Sequence, residues 1–122
     1  MLLIAGLWNC IRLIYKHKST EMNIPGNKYL ADFGMAKAIL KLESETSLTF
    51  TIMQKDGKDV DINETVAIKL TELRPQLFMA TWKEKNGNTI PQVQDYENGI
   101  VYANWTLPTG EFINRKGTLN PV

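Results

Sequence analysis

Thiols and imidazoles are nearly missing from this chain of 122 residues: Cys10 is its single cysteine and His17 its single histidine. A lone cysteine excludes an intrachain disulfide and argues against a cysteine-based zinc site. A lone histidine outside the folded core would remove Ser-His-Asp and Cys-His catalysis. A surplus of either charge is missing too. Fourteen Lys+Arg face thirteen Asp+Glu, a net charge of +1. That balance argues against a nucleic-acid surface, which needs a concentrated basic field. No apolar run reaches the about 17–25 residues of a spanning helix. Glycine-rich phosphate cradles are absent as well: Asp56-Gly57-Lys58 lacks a second glycine and a following helix, and Lys116-Gly117-Thr118 lies in a terminal strand pattern.

What is present is one ordinary domain's worth of chain, 43% hydrophobic and 22% charged, a globular composition. Its first 21 residues stand apart. Met1 to Tyr15 is almost continuously apolar, broken by Asn9 and Arg12, and Lys16-His17-Lys18 follows. A secretory signal carries its positive charge before the apolar run, the reverse of this order. Three readings stay open for residues 1–21: a membrane-associated segment or atypical leader, a start placed upstream of the natural one at Met22, or a helix packed on the domain. Without them, residues 22–122 lose Arg12, Lys16, Lys18 and Glu21, leaving 11 basic and 12 acidic side chains and a net charge of −1. They also contain neither cysteine nor histidine.

From Tyr29 onward the hydrophobic period is two. Leu48, Phe50 and Ile52 alternate with Thr49 and Thr51; Val66, Ile68 and Leu70 with Lys69 and Thr71; Phe78, Ala80 and Trp82 with Thr81 and Lys83. Asp56-Gly57, Asn86-Gly87, Asn98-Gly99 and Thr109-Gly110 punctuate these runs, and such pairs tolerate the positive φ of tight hairpins. The pattern predicts strands over 28–34, 36–43, 47–54, 63–73, 77–85, 89–95, 99–107 and 111–118. Ala36 to Leu42 has helical propensity, but Gly34 and the Ser44-Glu45-Thr46 turn favour a hairpin there. Eight consecutive antiparallel strands with short connections predict an all-β, up-and-down barrel, since closure removes both sheet edges. A two-layer sandwich is the competing architecture.

The candidate functional residues are few. Glu84 shares the parity of Phe78, Ala80 and Trp82, so it leans toward the apolar side, either as a rim carboxylate or as a buried acid with a raised pKa. Asp95 precedes the Glu97-Asn98-Gly99 turn and is placed to accept its backbone N–H groups. Asp56, Asp59, Asp61 and Glu64 cluster around a hairpin loop without calcium-hand spacing and read as solvated charge. Trp82, Tyr96 and Trp105 combine apolar bulk with a polar tip, suiting either a core or a pocket that orients a ligand. Trp105 follows the inward parity of Val101 and Ala103, whereas Tyr102 falls on the other face. Arg74, before Pro75 at a strand junction, can pair with a carboxylate or reach an anionic ligand. The expected ligand-binding set is therefore Arg74, Trp82, Glu84, Tyr96 and Trp105. Glu84 beside Arg74 or Tyr96 is the one constellation that could serve acid–base catalysis. No metal site or cofactor is expected.

Ala31-Asp-Phe-Gly, Thr81-Trp-Lys-Glu-Lys-Asn-Gly-Asn-Thr, Val93-Gln-Asp-Tyr and Gly110-Glu-Phe-Ile-Asn-Arg-Lys-Gly-Thr-Leu occur in order along the chain. Over about residues 24–120 the chain resembles the MoaF-like domain family, named for molybdenum cofactor biosynthesis protein F. The resemblance implies a lipocalin-like (calycin-type) barrel that binds a small molecule, and a link to molybdenum cofactor metabolism. One position departs from the family pattern: where a histidine is expected shortly before Asp95-Tyr96, Gln92 and Gln94 flank Val93. Amides recognise ligands by hydrogen bonding rather than by proton transfer. The expectation is a non-enzymatic, cytoplasmic binding barrel. A small-acid enzyme and an interaction module, membrane-held through residues 1–20, are the alternatives.

Overall fold

The computed structural model describes residues 22–122, so the three readings of residues 1–21 lie outside the described residues. Nine strands follow one another: β1 Tyr29–Asp32, β2 Lys37–Ser44, β3 Ser47–Lys55, β4 Lys58–Ala67, β5 Lys69–Arg74, β6 Leu77–Lys83, β7 Thr89–Asp95, β8 Ile100–Thr106 and β9 Phe112–Pro121. No helix occurs among the described residues. The hairpin expected over 28–43 forms as β1 and β2, where β-branched and apolar alternation outweighs local helical propensity. The turns are chemically determined: Asp56 and Gly57 both take positive φ (52° and 75°), as a two-residue hairpin loop requires.

All pairings are antiparallel, in the order β4-β3-β2-β1-β9-β8-β7-β6-β5. Two expectations are corrected here. The run expected as one strand over 63–73 is a longer stretch beginning at Lys58 and interrupted at Ile68, which makes nine strands rather than eight. The sheet, moreover, is not closed into a barrel. β4 and β5 are successive pieces of chain running the same way; the first pairs with β3 and the second with β6. Two pieces in line cannot pair with each other, so the ladder keeps a seam between its edges. Ile68 spans that seam, and its N–H donates to the Thr46 carbonyl (2.9 Å).

The sheet nevertheless curls around one core. Its inner face buries Leu40, Leu42, Leu48, Phe50, Val66, Phe78, Ile90, Val101 and Leu119. The rings of Phe50 on β3 and Trp82 on β6 lie 6.3 Å apart, which brings the two halves of the sheet together. Tyr29, Phe78 and Tyr96 close one end by edge-to-face packing, with centroids 4.7 and 6.0 Å apart, and Ile24 packs against the same core. Such aromatic pairs contribute about 0.5–1.5 kcal/mol each beyond their buried area.

Candidate functional site

The buried polar side chains of the sheet all lie along β7. There Ile90, Gln92 and Gln94 face inward, with Tyr96 just beyond the strand. Both glutamines are buried, Gln94 completely (0% exposed). The register sets Gln92 between Ala80 of β6 and Ala103 of β8, two small side chains that leave room on either side of its amide. A directional chain of hydrogen bonds runs along them. The Tyr96 hydroxyl donates to Gln94 Oε1 (2.7 Å), and Gln94 Nε2 donates to Gln92 Oε1 (2.7 Å). Burial of Tyr96, reinforced by nearby Tyr29, drives its hydroxyl pKa far above the ordinary tyrosine value, so the hydroxyl stays a donor.

At the end of β6 a second polar feature meets this wall. Trp82 is 6% exposed, and its Nε1–H is buried without a hydrogen-bond partner. An unsatisfied buried donor costs about 1–3 kcal/mol. Glu84 follows on the same face and is half-buried. Desolvation, then the neighbouring Glu64 carboxylate, raises its pKa; the Trp82 and Asn88 side chains and Lys55 pull it partly back. The Glu84 carboxyl thus feels the indole dipole, although Trp82 Nε1 is not in regular hydrogen-bonding geometry with it. Glu64 reaches across the seam, where its Oε2 accepts the Lys85 N–H (3.1 Å).

The expected site residues separate into three places. Trp82, Tyr96 and Trp105 belong to the inner side, where Trp105 packs edge-to-face on Phe33 with centroids 5.0 Å apart. Glu84 stands at the rim beside Trp82. Arg74 lies at the opposite end of β6, half-exposed, where it donates to Glu97 Oε2 (2.7 Å) and approaches Asp95 (3.8 Å). The whole length of β6, roughly 20 Å, separates Arg74's partner Leu77 from Glu84. The structure therefore does not bring Glu84 together with Arg74, and Tyr96 directs its hydroxyl along β7 instead. Asp95 takes the turn-setting role. Its carboxylate accepts the Asn98 N–H (3.0 Å) and side-chain Nδ2 (2.8 Å), and those bonds hold its pKa below the usual aspartate value.

Glu64 corrects the acidic-loop reading. Only Asp56 and Gly57 occupy the hairpin loop, while Asp59, Asp61 and Glu64 lie on β4. Alternation with Asn63 and Thr65 assigns Glu64 to the inner face, a signal the charge cluster obscured. Gln92 and Gln94 were visible as amides, but their burial follows only from the curl. Among the described residues, no three His, Cys, Asp or Glu side chains converge as metal ligands do.

Comparison with known proteins agrees with this architecture. No curated protein matches the chain. A crystal structure from Burkholderia vietnamiensis, of a protein provisionally designated a beta-lactamase, superposes with a TM-score of 0.72 at 14% identity, covering 82% of this chain and 96% of that one. At that identity the likeness concerns the fold alone. The MoaF-like family model matches residues 25–120, nearly all of the described domain. With its antiparallel sheet and that match across most of its length, the chain belongs to the MoaF-like family.

Proposed function

We propose that the domain is a non-catalytic binding module that takes a small molecule against its inner wall, beside Trp82 and the β7 amides. The observation that carries the reading is the buried polar line of Tyr96, Gln94 and Gln92 among core side chains that are otherwise apolar. Apolar side chains of equal size would pack this wall without any desolvation cost, so packing alone does not account for the amides. A few fixed polar groups in an apolar surround are what orients a bound small molecule. The orphan Trp82 N–H supports the same reading, because a ligand acceptor would satisfy it. Amides and an indole N–H offer hydrogen bonds without proton transfer, which favours binding over catalysis.

The family name supplies the candidate chemistry, so the test panel contains intermediates of molybdenum cofactor synthesis together with small amides and organic acids. Titration against tryptophan emission should give a saturable change for at least one class. The triple variant Q92L/Q94L/Y96F removes the whole polar line and should stay within about 1.5 kcal/mol of wild-type stability, because all partners leave together. It should lose the emission change. Equal titration curves for wild type and variant would overturn the reading.

A further inference from the structure

The hydrogen-bond chain on β7 has a fixed direction and ends on a donor. The buried Tyr96 phenol keeps its proton, and Gln94 Oε1 is the acceptor that it reaches (2.7 Å). Reversing the Gln94 amide would leave that hydroxyl hydrogen without an acceptor, at a cost of about 1–3 kcal/mol. Gln94 therefore presents its Nε2 to Gln92, whose Oε1 accepts it (2.7 Å). What Gln92 still has to offer is its own Nε2. That group donates to no acceptor among the described residues, although Gln92 is only 3% exposed. Trp82, on the cross-strand diagonal from Gln92, carries a second such group in its orphan Nε1–H. The two buried side-chain groups of this wall that make no hydrogen bond are thus both N–H donors, and neither can accept.

The register adds a positive charge to these donors. One cross-strand row runs through Leu70, Ala80, Gln92, Ala103 and Arg115, from β5 to β9. Directly opposed residues share a face, so the exposed Arg115 belongs to the same side of the sheet as Gln92. Of the side chains that β6, β7, β8 and β9 turn to this face, Arg115 alone is charged. Only the methyl group of Ala103 stands between it and Gln92, two strand spacings or about 10 Å away at the backbone. The rim carboxylate Glu84 is four residues beyond Ala80, about 13 Å along the strand from this row. Given the interior site proposed above, we infer that its ligand is a small carboxylate with an apolar body. Its oxygens accept from Gln92 Nε2, and Arg115 supplies the counter-charge. A carboxylate offers acceptors only, the inverse of what the wall presents, and its hydrogen bonds are charge-assisted. An ammonium ligand has no acceptor for the amide and is repelled by Arg115.

Hexanoate, hexanol and hexylamine share one apolar body and differ in the head group. Each is titrated into the full chain at neutral pH while backbone and side-chain amide NMR signals are followed. Hexanoate should saturate and move the Gln92 side-chain amide signal. Hexanol should bind more weakly at the same place, and hexylamine should leave that signal where it is. R115Q should weaken hexanoate binding roughly three- to fivefold and leave hexanol unaffected. K116Q removes an equal charge from the opposite face and should leave the hexanoate affinity unchanged. Hexanol or hexylamine binding at Gln92 as tightly as hexanoate would overturn the carboxylate assignment and leave the interior reading standing. Hexanoate shifts that spare Gln92, or undiminished affinity in Q92L/Q94L/Y96F, would overturn both. No saturation by hexanoate, or equal weakening by R115Q and K116Q, would overturn the carboxylate assignment alone, because the interior reading is judged on its own panel.

Discussion

Glu84 and Asp95 are carboxyls displaced in opposite directions by identifiable neighbours. Asp95 accepts two bonds from Asn98, so its contribution to stability is present above the ordinary aspartate value of 3.8 and lost as the pH falls through its lower folded value. Glu84 is desolvated and faces Glu64, so folding favours its protonated form. Its contribution is complete below 4.5 and is lost as the pH rises through its higher folded value. E84Q should therefore be more stable than wild type at pH 7, with the gap closing below about pH 4.5. Urea midpoints measured from pH 4 to 8 check this, and parallel curves for the two proteins would refute it. The facing of Glu84, Trp82 and Trp105 was legible from strand parity. The Arg74–Glu97 pair was not, because its partners are 23 residues apart and meet only through the packing of adjacent turns.

Among the elements, the stretch from Lys58 to Arg74 determines the shape of the sheet. It serves as the edge strand for β3 and then for β6, so its interruption at Ile68 is where one half of the sheet hands over to the other. Periodicity identified the run but not the handover, since alternation continues unbroken through Val66, Ile68 and Leu70. β1 and β9 are locked in another way. A side chain at Gly117 would collide with the Asp32 carbonyl and sit 2.9 Å from the Phe33 ring. G117A should thus lower stability by about 2–3 kcal/mol, as overpacking against backbone does. G26A, with nothing nearby, should change it by less than about 0.5 kcal/mol. Denaturant unfolding of both variants measures the contrast; equal losses would mean that the crossing is not tight.

At the scale of the molecule, the described residues form one curled sheet with one core, and Ile24 and Tyr29 already close its end. We expect residues 22–122 expressed alone to unfold in a single cooperative transition with the near-ultraviolet spectrum of the full chain. A collapsed state without near-ultraviolet signal would show instead that residues 1–21 complete the core. The alternation, the hairpin turns and the absence of cysteine and histidine after residue 21 are properties of the amino-acid sequence by itself, because each is encoded within a few neighbouring residues. Only the tertiary structure decided that the ladder stays open, that Glu64 reaches Lys85 across the seam, and that the β7 amides are buried. Those outcomes depend on twist accumulated over nine strands, and no local stretch of sequence contains that sum.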